Sequence, residues 1–183
     1  MADSKGKFDE LVAPHLTRLF RVACNLLGNH ADARDLVQDT CVAACESLDQ
    51  LAASEHPLRW LLRVQHNRFI DGARRRRSAP VIQMDVRART ARLSSEAPGP
   101  EEQLLQADSE GELERAFQKL DETQRALLSL RAEGYSLAEI EAVTGISREV
   151  LRSRLQRARN RLAQNLEAMA GAPQRAPRLG SGS

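Results

Sequence analysis

Hydrophobic positions recur three and four residues apart through most of the chain, and the pattern lapses once, in the middle. Phe8, Leu11, Val12, His15, Leu16, Leu19, Phe20 and Ala23 form one apolar stripe, which predicts a single first helix ended by the turn chemistry of Gly28-Asn29. Leu36, Val37, Thr40, Cys41, Ala44 and Leu48 share the next face and predict a helix over about 31–49. A loop is expected over 50–57, with Pro57 suited to the first turn of a third helix. That helix carries Leu58, Leu61, Leu62, Val64, Phe69 and Ile70 and runs into Arg74-Arg75-Arg76-Arg77.

Between 78 and 112 no period is sustained, and Ala79-Pro80, Ser94-Ser95 and Ala97-Pro98-Gly99-Pro100 read as breakers, with a helical start near Glu101. Helical spacing returns with Leu113, Ala116, Phe117 and Leu120. Asp121-Glu122-Thr123-Gln124 reads as a capping box opening a helix through Leu127, Leu128 and Leu130, and Gly134-Tyr135 breaks it. Ser136-Leu137-Ala138-Glu139 is a second capping box, Gly145 a turn, and Ser147 a third cap before a helix to about Met169. The tail GAPQRAPRLGSGS is expected to be disordered.

These elements predict an all-α chain: two small helical domains, 1–77 and 113–170, joined by a flexible acidic linker, 78–112, with a disordered tail, 171–183. Composition agrees. One Trp, one Tyr and four Phe leave little for aromatic sheets. Ala, Leu, Arg, Glu and Gln are the residues that lose least on entering a helix. The overall charge of +2 hides a segregation. Residues 1–77 hold 12 Lys+Arg against 10 Asp+Glu (net +2), residues 78–112 hold 3 against 7 (net −4), and residues 113–183 hold 12 against 8 (net +4). Two mildly basic bodies around an acidic connector suit anion-binding modules. Cys24, Cys41 and Cys45 are odd in number and lie among apolar residues, so burial is expected rather than a disulfide, redox or zinc role. The first residues, MADSKGKFDE, have no apolar signal core and no apolar run reaches spanning length, so a cytoplasmic protein without stable membrane insertion is expected.

The sharpest local signal is SLAEIEAVTGISREVLRSRLQRARNRL, residues 136–162. Two capped helices about a glycine turn are the parts of a helix-turn-helix, with Ile140, Val143, Ile146, Leu151 and Leu155 placed to pack between them. The second helix bears Arg148, Arg152, Arg154, Arg157, Arg159 and Arg161 against a single Glu149. A solvated basic face would explain the charges alone. Caps, turn and arginine bias together favour a DNA reader, because the planar guanidinium suits guanine and phosphate. In the first domain, Asp32, Asp35, Gln38 and Asp39 oppose an apolar stripe. They lack the further ligands a metal site needs, and suit either solvent or a basic docking partner. Trp60, Arg63, Asn67, Asp71 and Arg74 to Arg77 combine arginines for phosphates with amide and carboxylate groups for base edges, as a single-strand reader requires, although Trp60 taken alone is more often a core residue than a base-stacking one. His66 has no nucleophile paired with it in sequence and reads as a surface or satisfied core residue.

Three ordered motifs resemble those of the extracytoplasmic-function sigma factors of bacterial RNA polymerase. DARDLVQDT (32–40) is similar to the family's D-A-E-D-L-V-Q-D-T/A motif, with Arg34 at the Glu position. WLLRVQHNRFIDGARRRR (60–77) resembles its W-L-x-x-I-A-x-N-x-x-x-D-x-x-R-R run, and GISREVLRSRLQRARNRL (145–162) its G-I-S-x-x-T-V-K-S-R-L-x-R-A-R-x-x-L signature. The resemblance implies a non-catalytic initiation subunit with no catalytic, metal or cofactor residues. It implies that Asp35, Leu36, Gln38 and Asp39 meet the clamp helices of the polymerase β′ subunit, and that the apolar surface of the 113–130 helices holds the β flap. Trp60, Arg63, Asn67, Asp71 and Arg74–Arg77 would melt and read the −10 element as single strand. Ser147, Arg148, Arg152, Arg154, Arg157 and Arg159 would read the −35 element as duplex. The linker would thread toward the RNA exit channel, and an anti-sigma factor is the expected regulator. Glu141 departs from the small Ala usual in the helix-turn-helix, which implies looser packing there or a Glu that leans outward. Glu149, Val150 and Leu151 stand where Gly-Thr-Val is common.

Overall fold

A computed structural model describes residues 2–78 and 111–170, and every regular element among them is helical. The expected linker, apart from its outermost residues, and the expected tail lie outside the described residues. The first stripe does not form one helix. Pro14 lacks an N–H and its ring crowds the preceding turn, so α1 (Ala2–Val12) gives way to a 3-10 turn (Ala13–His15) before α2 (Leu16–Leu27). Val12, Leu19 and Ala23 are buried all the same, while Leu16, next to the break, is 38% exposed.

Gly28 closes α2 in the left-handed region (φ 69°), its N–H donating to the Cys24 carbonyl at 2.8 Å. Asn29 then caps α3 (His30–Glu46), its side-chain oxygen accepting from the Asp32 N–H at 2.8 Å. The predicted loop over 50–57 begins instead with a short helix, α4 (Leu48–Ala52), which buries Leu51. A single inward residue has no period to betray it. Helix α5 (Pro57–Ser78) starts at the expected proline and carries the arginine run in its last turn.

In the second half, residues 111–118 form α6, followed by α7 (Glu122–Ala132), α8 (Leu137–Thr144) and α9 (Arg148–Ala170). Both predicted capping boxes form. The Asp121 carboxylate accepts from Gln124 N–H at 2.8 Å, and Glu139 returns the bond to Ser136 N–H at 2.8 Å. Tyr135 turns inward after Gly134, its N–H donating to the Leu130 carbonyl at 3.1 Å.

The two halves do not keep separate cores. Leu19, Val22, Leu61, Leu62 and Phe69 of the first join Leu127, Leu130, Ile140 and Leu151 of the second in one apolar cluster. The seam is made by α2 and α5 against α7 and α8. Five consecutive residues of α7, Ala126 to Leu130, are buried, so that helix is covered by α8 and α9 on one side and by α2 and α5 on the other. Cys24 and Cys41 are half-buried, but Cys45 is exposed, against the expectation of burial.

Asp121→Ala and Ser136→Ala each leave helix-end N–H groups without an acceptor, and each should lower stability by about 1 kcal/mol in urea unfolding. Unchanged midpoints would show that these caps contribute nothing.

Candidate nucleic-acid interface

Helices α8 and α9 meet across Gly145, which holds the left-handed conformation (φ 73°) that the tight turn requires. Ile140, Val143, Leu151 and Leu155 are buried between and beneath them, and Ile146 is half-buried. With that face fixed inward, Ser147 and Arg148, Arg152, Arg154, Arg157, Arg159 and Arg161 all stand exposed. Arg157 folds back along its own helix, donating to the Ser153 carbonyl at 3.3 Å and the Ser153 hydroxyl at 3.2 Å.

Glu141 leans outward, and the packing beneath it stays tight, with Ile140 at 0% and Val143 at 2% exposure. Its carboxylate reaches the start of α9. Oε1 accepts from the backbone N–H of Arg148 at 3.2 Å, and Oε2 lies 2.9 Å from Arg148 Nε. The third expected cap is therefore shared. The Ser147 carbonyl accepts from Leu151 N–H at 2.8 Å, but among the described residues the acceptor for the helix's free N–H comes from Glu141.

On α3, Asp35, Gln38 and Asp39 line an open acidic face. Leu36 is only 8% exposed, and its carbonyl accepts from the buried Thr40 hydroxyl at 2.8 Å, so it underlies that face more than it forms it. On α5 the buried residues Leu61, Leu62, Gln65, Phe69 and Ala73 leave Arg63, Asn67, Asp71 and Arg74 to Arg76 exposed. Asp71 and Arg74 sit 3.7 Å apart. Two residues of the expected set are not free. Trp60 is half-buried against the core, and Arg77 crosses to pair with Glu122 of α7.

That crossing belongs to a seam the sequence pattern did not announce. Arg21 of α2 pairs with Glu133 at 2.7 Å. Arg125 of α7 donates to the Leu26 carbonyl at 3.3 Å and lies 5.6 Å over the Phe69 ring, while Arg18 lies 5.2 Å over Tyr135. A small cavity remains between Val22, Leu26, Leu62, Gln65, His66, Ala126 and Leu130. Gln65 Oε1, His66 Nδ1, Arg125 Nε, Ser129 Oγ and the Tyr135 hydroxyl are buried without a hydrogen-bond partner among the described residues, and all belong to α5, α7 or the turn after α7. His66 is half-buried, with its Nδ1 enclosed in the seam. Burial in the seam lowers its pKa from 6.5 to about 4. The near-continuous run Ala126-Leu127-Leu128 with Leu130, interrupted only by Ser129, is a signal in the sequence, being too long for a helix with a single partner.

Residues 11–79 match the family model for sigma-70 region 2, and residues 110–162 that for sigma-70 region 4. RNA polymerase sigma factor CnrH of Cupriavidus metallidurans is 31% identical over 166 residues, covering 88% of this chain and 87% of its own. ECF RNA polymerase sigma factor EcfG of Rhodopseudomonas palustris is 31% identical over 156 residues, 85% of this chain and 81% of its own. The chain belongs to the extracytoplasmic-function sigma factors. This sigma factor is also 34% identical over 161 residues to ECF RNA polymerase sigma factor SigE of Mycolicibacterium smegmatis, of whose length it spans 61%. Among solved structures, it resembles the sigma factor RpoE of Bartonella quintana in complex with the anti-sigma factor NepR. The TM-score is 0.66 at 27% identity, over 87% of this chain and 96% of that one. It likewise resembles CnrH in complex with the cytosolic domain of CnrY, with a TM-score of 0.60 at 28% identity, over 88% of each chain. Each likeness spans both halves of the sigma factor. Among the described residues, no helix is long and apolar enough to cross a membrane.

The buried imidazole makes the closed fold sensitive to acid. Between pH 6.5 and about 4 an exposed His66 binds a proton that the closed form excludes. The His66 contribution is therefore fully present above 6.5 and is lost as pH falls, by about 1.4 kcal/mol per unit, to roughly 3 kcal/mol in all. Thermal unfolding of the wild type should decline more steeply over this window than that of His66→Gln. Parallel pH profiles would show that burial does not disfavour the imidazolium.

Proposed function

We propose that this sigma factor is a non-catalytic, cytoplasmic initiation subunit that docks on core RNA polymerase, reads two promoter elements and starts strand opening under anti-sigma control. One observation carries this. The arginine face of α9 and the Arg63, Asn67, Asp71, Arg74 line of α5 both stand exposed on helices whose opposite faces are buried. Boundaries at 1–77, 78–112, 113–170 and 171–183 belong to the same proposal. Asp35, Gln38 and Asp39, underlain by Leu36, offer a carboxylate-rich face to the β′ clamp helices. Ser147, Arg148, Arg152, Arg154, Arg157 and Arg159 meet the −35 duplex. Trp60, Arg63, Asn67, Asp71 and the arginines 74–77 hold the −10 strand, where capture of a flipped base offsets an unstacking cost of a few kcal/mol.

The closed arrangement cannot do both at once. Elements centred about 25 base pairs apart lie roughly 85 Å apart along B-DNA, at about 3.4 Å per base pair. A compact body of this size has a radius of gyration of only about 14 Å. Docking on polymerase must part the seam, and the acidic 78–112 segment is the tether that allows it. Parting uncovers Ala126 and Leu130, and with Leu113, which is already 48% exposed, they offer apolar surface to the β flap. Closure and flap docking then compete for one face. RpoE was solved with the anti-sigma factor NepR, and CnrH with the cytosolic domain of CnrY. By that likeness, an anti-sigma factor holds this chain away from polymerase.

Run-off transcription with purified host core enzyme is expected to give specific transcripts only when the chain is added. Failure on every candidate promoter overturns the proposal. Asp35→Arg with Asp39→Arg should weaken core binding at least tenfold without changing thermal stability, and unchanged binding would remove the clamp assignment. Arg159→Ala should lower the log–log salt slope of DNA binding by about one. An unchanged slope would make that end of α9 a merely solvated surface.

A further inference from the structure

The six arginines of α9 are not equivalent. Arg152, Arg154, Arg159 and Arg161 are exposed and make no polar contact among the described residues, so they are long, freely moving charges. Arg157 is held only by neutral oxygens of Ser153, one turn back. Arg148 alone is gripped by a carboxylate from another helix. Glu141 Oε1 takes its backbone N–H at 3.2 Å, and Oε2 forms an ion pair with the guanidinium, 2.9 Å from Nε. One carboxylate thereby ties both the Cα end and the guanidinium end of the same residue.

The choice of nitrogen matters. The closest approach is at Nε, and neither Nη1 nor Nη2 makes a hydrogen bond among the described residues. That pair matches the O6 and N7 acceptors of guanine in the major groove, the commonest bidentate contact in duplex recognition. Arg148 also stands at the first position of α9, the end of a recognition helix that meets base edges. We propose that Arg148 reads a guanine of the upstream promoter element, and that Glu141 is the positioning residue which aims it. This rests on α9 being the −35 reader proposed above. Two physical effects follow from the buttress. The arginine loses less rotamer freedom when it binds, because it is already held. The Glu141 charge repels phosphates wherever no guanine rewards the approach, so specificity comes partly from a penalty on wrong sequences.

The test is selection of duplex DNA randomised across the upstream element by reconstituted holoenzyme, followed by sequencing. Wild type should prefer guanine at one position, and Arg148→Ala should erase that preference at that position alone. Glu141→Ala should reduce the same preference at least threefold. It should also tighten binding to random duplex and raise the log–log salt slope by up to about one. Glu141→Gln separates the buttress from the cap. Its carbonyl can still accept the helix N–H, but it carries no charge to pair with the Arg148 guanidinium. It should therefore keep wild-type thermal stability while losing guanine preference as Glu141→Ala does. Full guanine preference in Glu141→Gln, or losses at different positions in the Glu141 and Arg148 variants, would overturn the proposal while leaving α9 as the reader. If wild-type holoenzyme enriches no upstream sequence, the −35 assignment of α9 falls and the buttress falls with it.

Discussion

Five consecutive side chains of α7, Ala126 to Leu130, lie out of water, which a helix achieves only with partners on more than one side. The helix-turn-helix supplies one cover. The other comes from α2 and α5, more than 45 residues away in sequence. This shared helix joins two small modules, neither rich in aromatics, into one apolar cluster. It also sets the functional problem, because a surface that stabilises the closed chain is lost to any partner until the chain opens.

The seam is not purely apolar. Its apolar contacts are interleaved with Arg21–Glu133, Arg77–Glu122 and the half-buried Arg125, and with five buried polar atoms that have no partner among the described residues. An unsatisfied buried polar group costs about 1–3 kcal/mol relative to its hydrated state. That cost is returned when water enters, so the closed form is held by apolar area and discounted by polar strain. A seam of leucines alone would close more tightly and yield less readily to polymerase. His66 adds a titratable element to the same balance, since burial disfavours its protonated form.

At the reading face, an acidic residue in a basic surface turns from an oddity into a device. Glu141 takes the place of a small residue without disturbing Ile140 or Val143, because position 141 points away from the helix pair. From there one carboxylate satisfies the start of α9 and holds the first of its arginines. The other arginines gain no such support, which divides the helix into an aimed contact and a diffuse positive field.

Much of this architecture was legible in the chain itself. Capping boxes at Asp121 and Ser136, the turn glycines Gly28 and Gly145, and the proline opening α5 are local signals, and each acts within a few residues of where it is written. The outward arginines of α9 followed from the inward stripe of Ile140, Val143, Leu151 and Leu155, since helical periodicity assigns one face by assigning the other. Pro14 is a local breaker within the first apolar stripe, and steric exclusion by its ring divides that stripe into two helices. The pairing of Arg21 with Glu133 and the partial burial of His66 have no local code, because their partners are set by how two helical bodies meet. Sequence by itself determined the helices and the chemistry on their faces, through short-range hydrogen bonding and periodicity. Only the tertiary structure decided which of those faces see water, because burial depends on contacts between residues that the chain order keeps far apart.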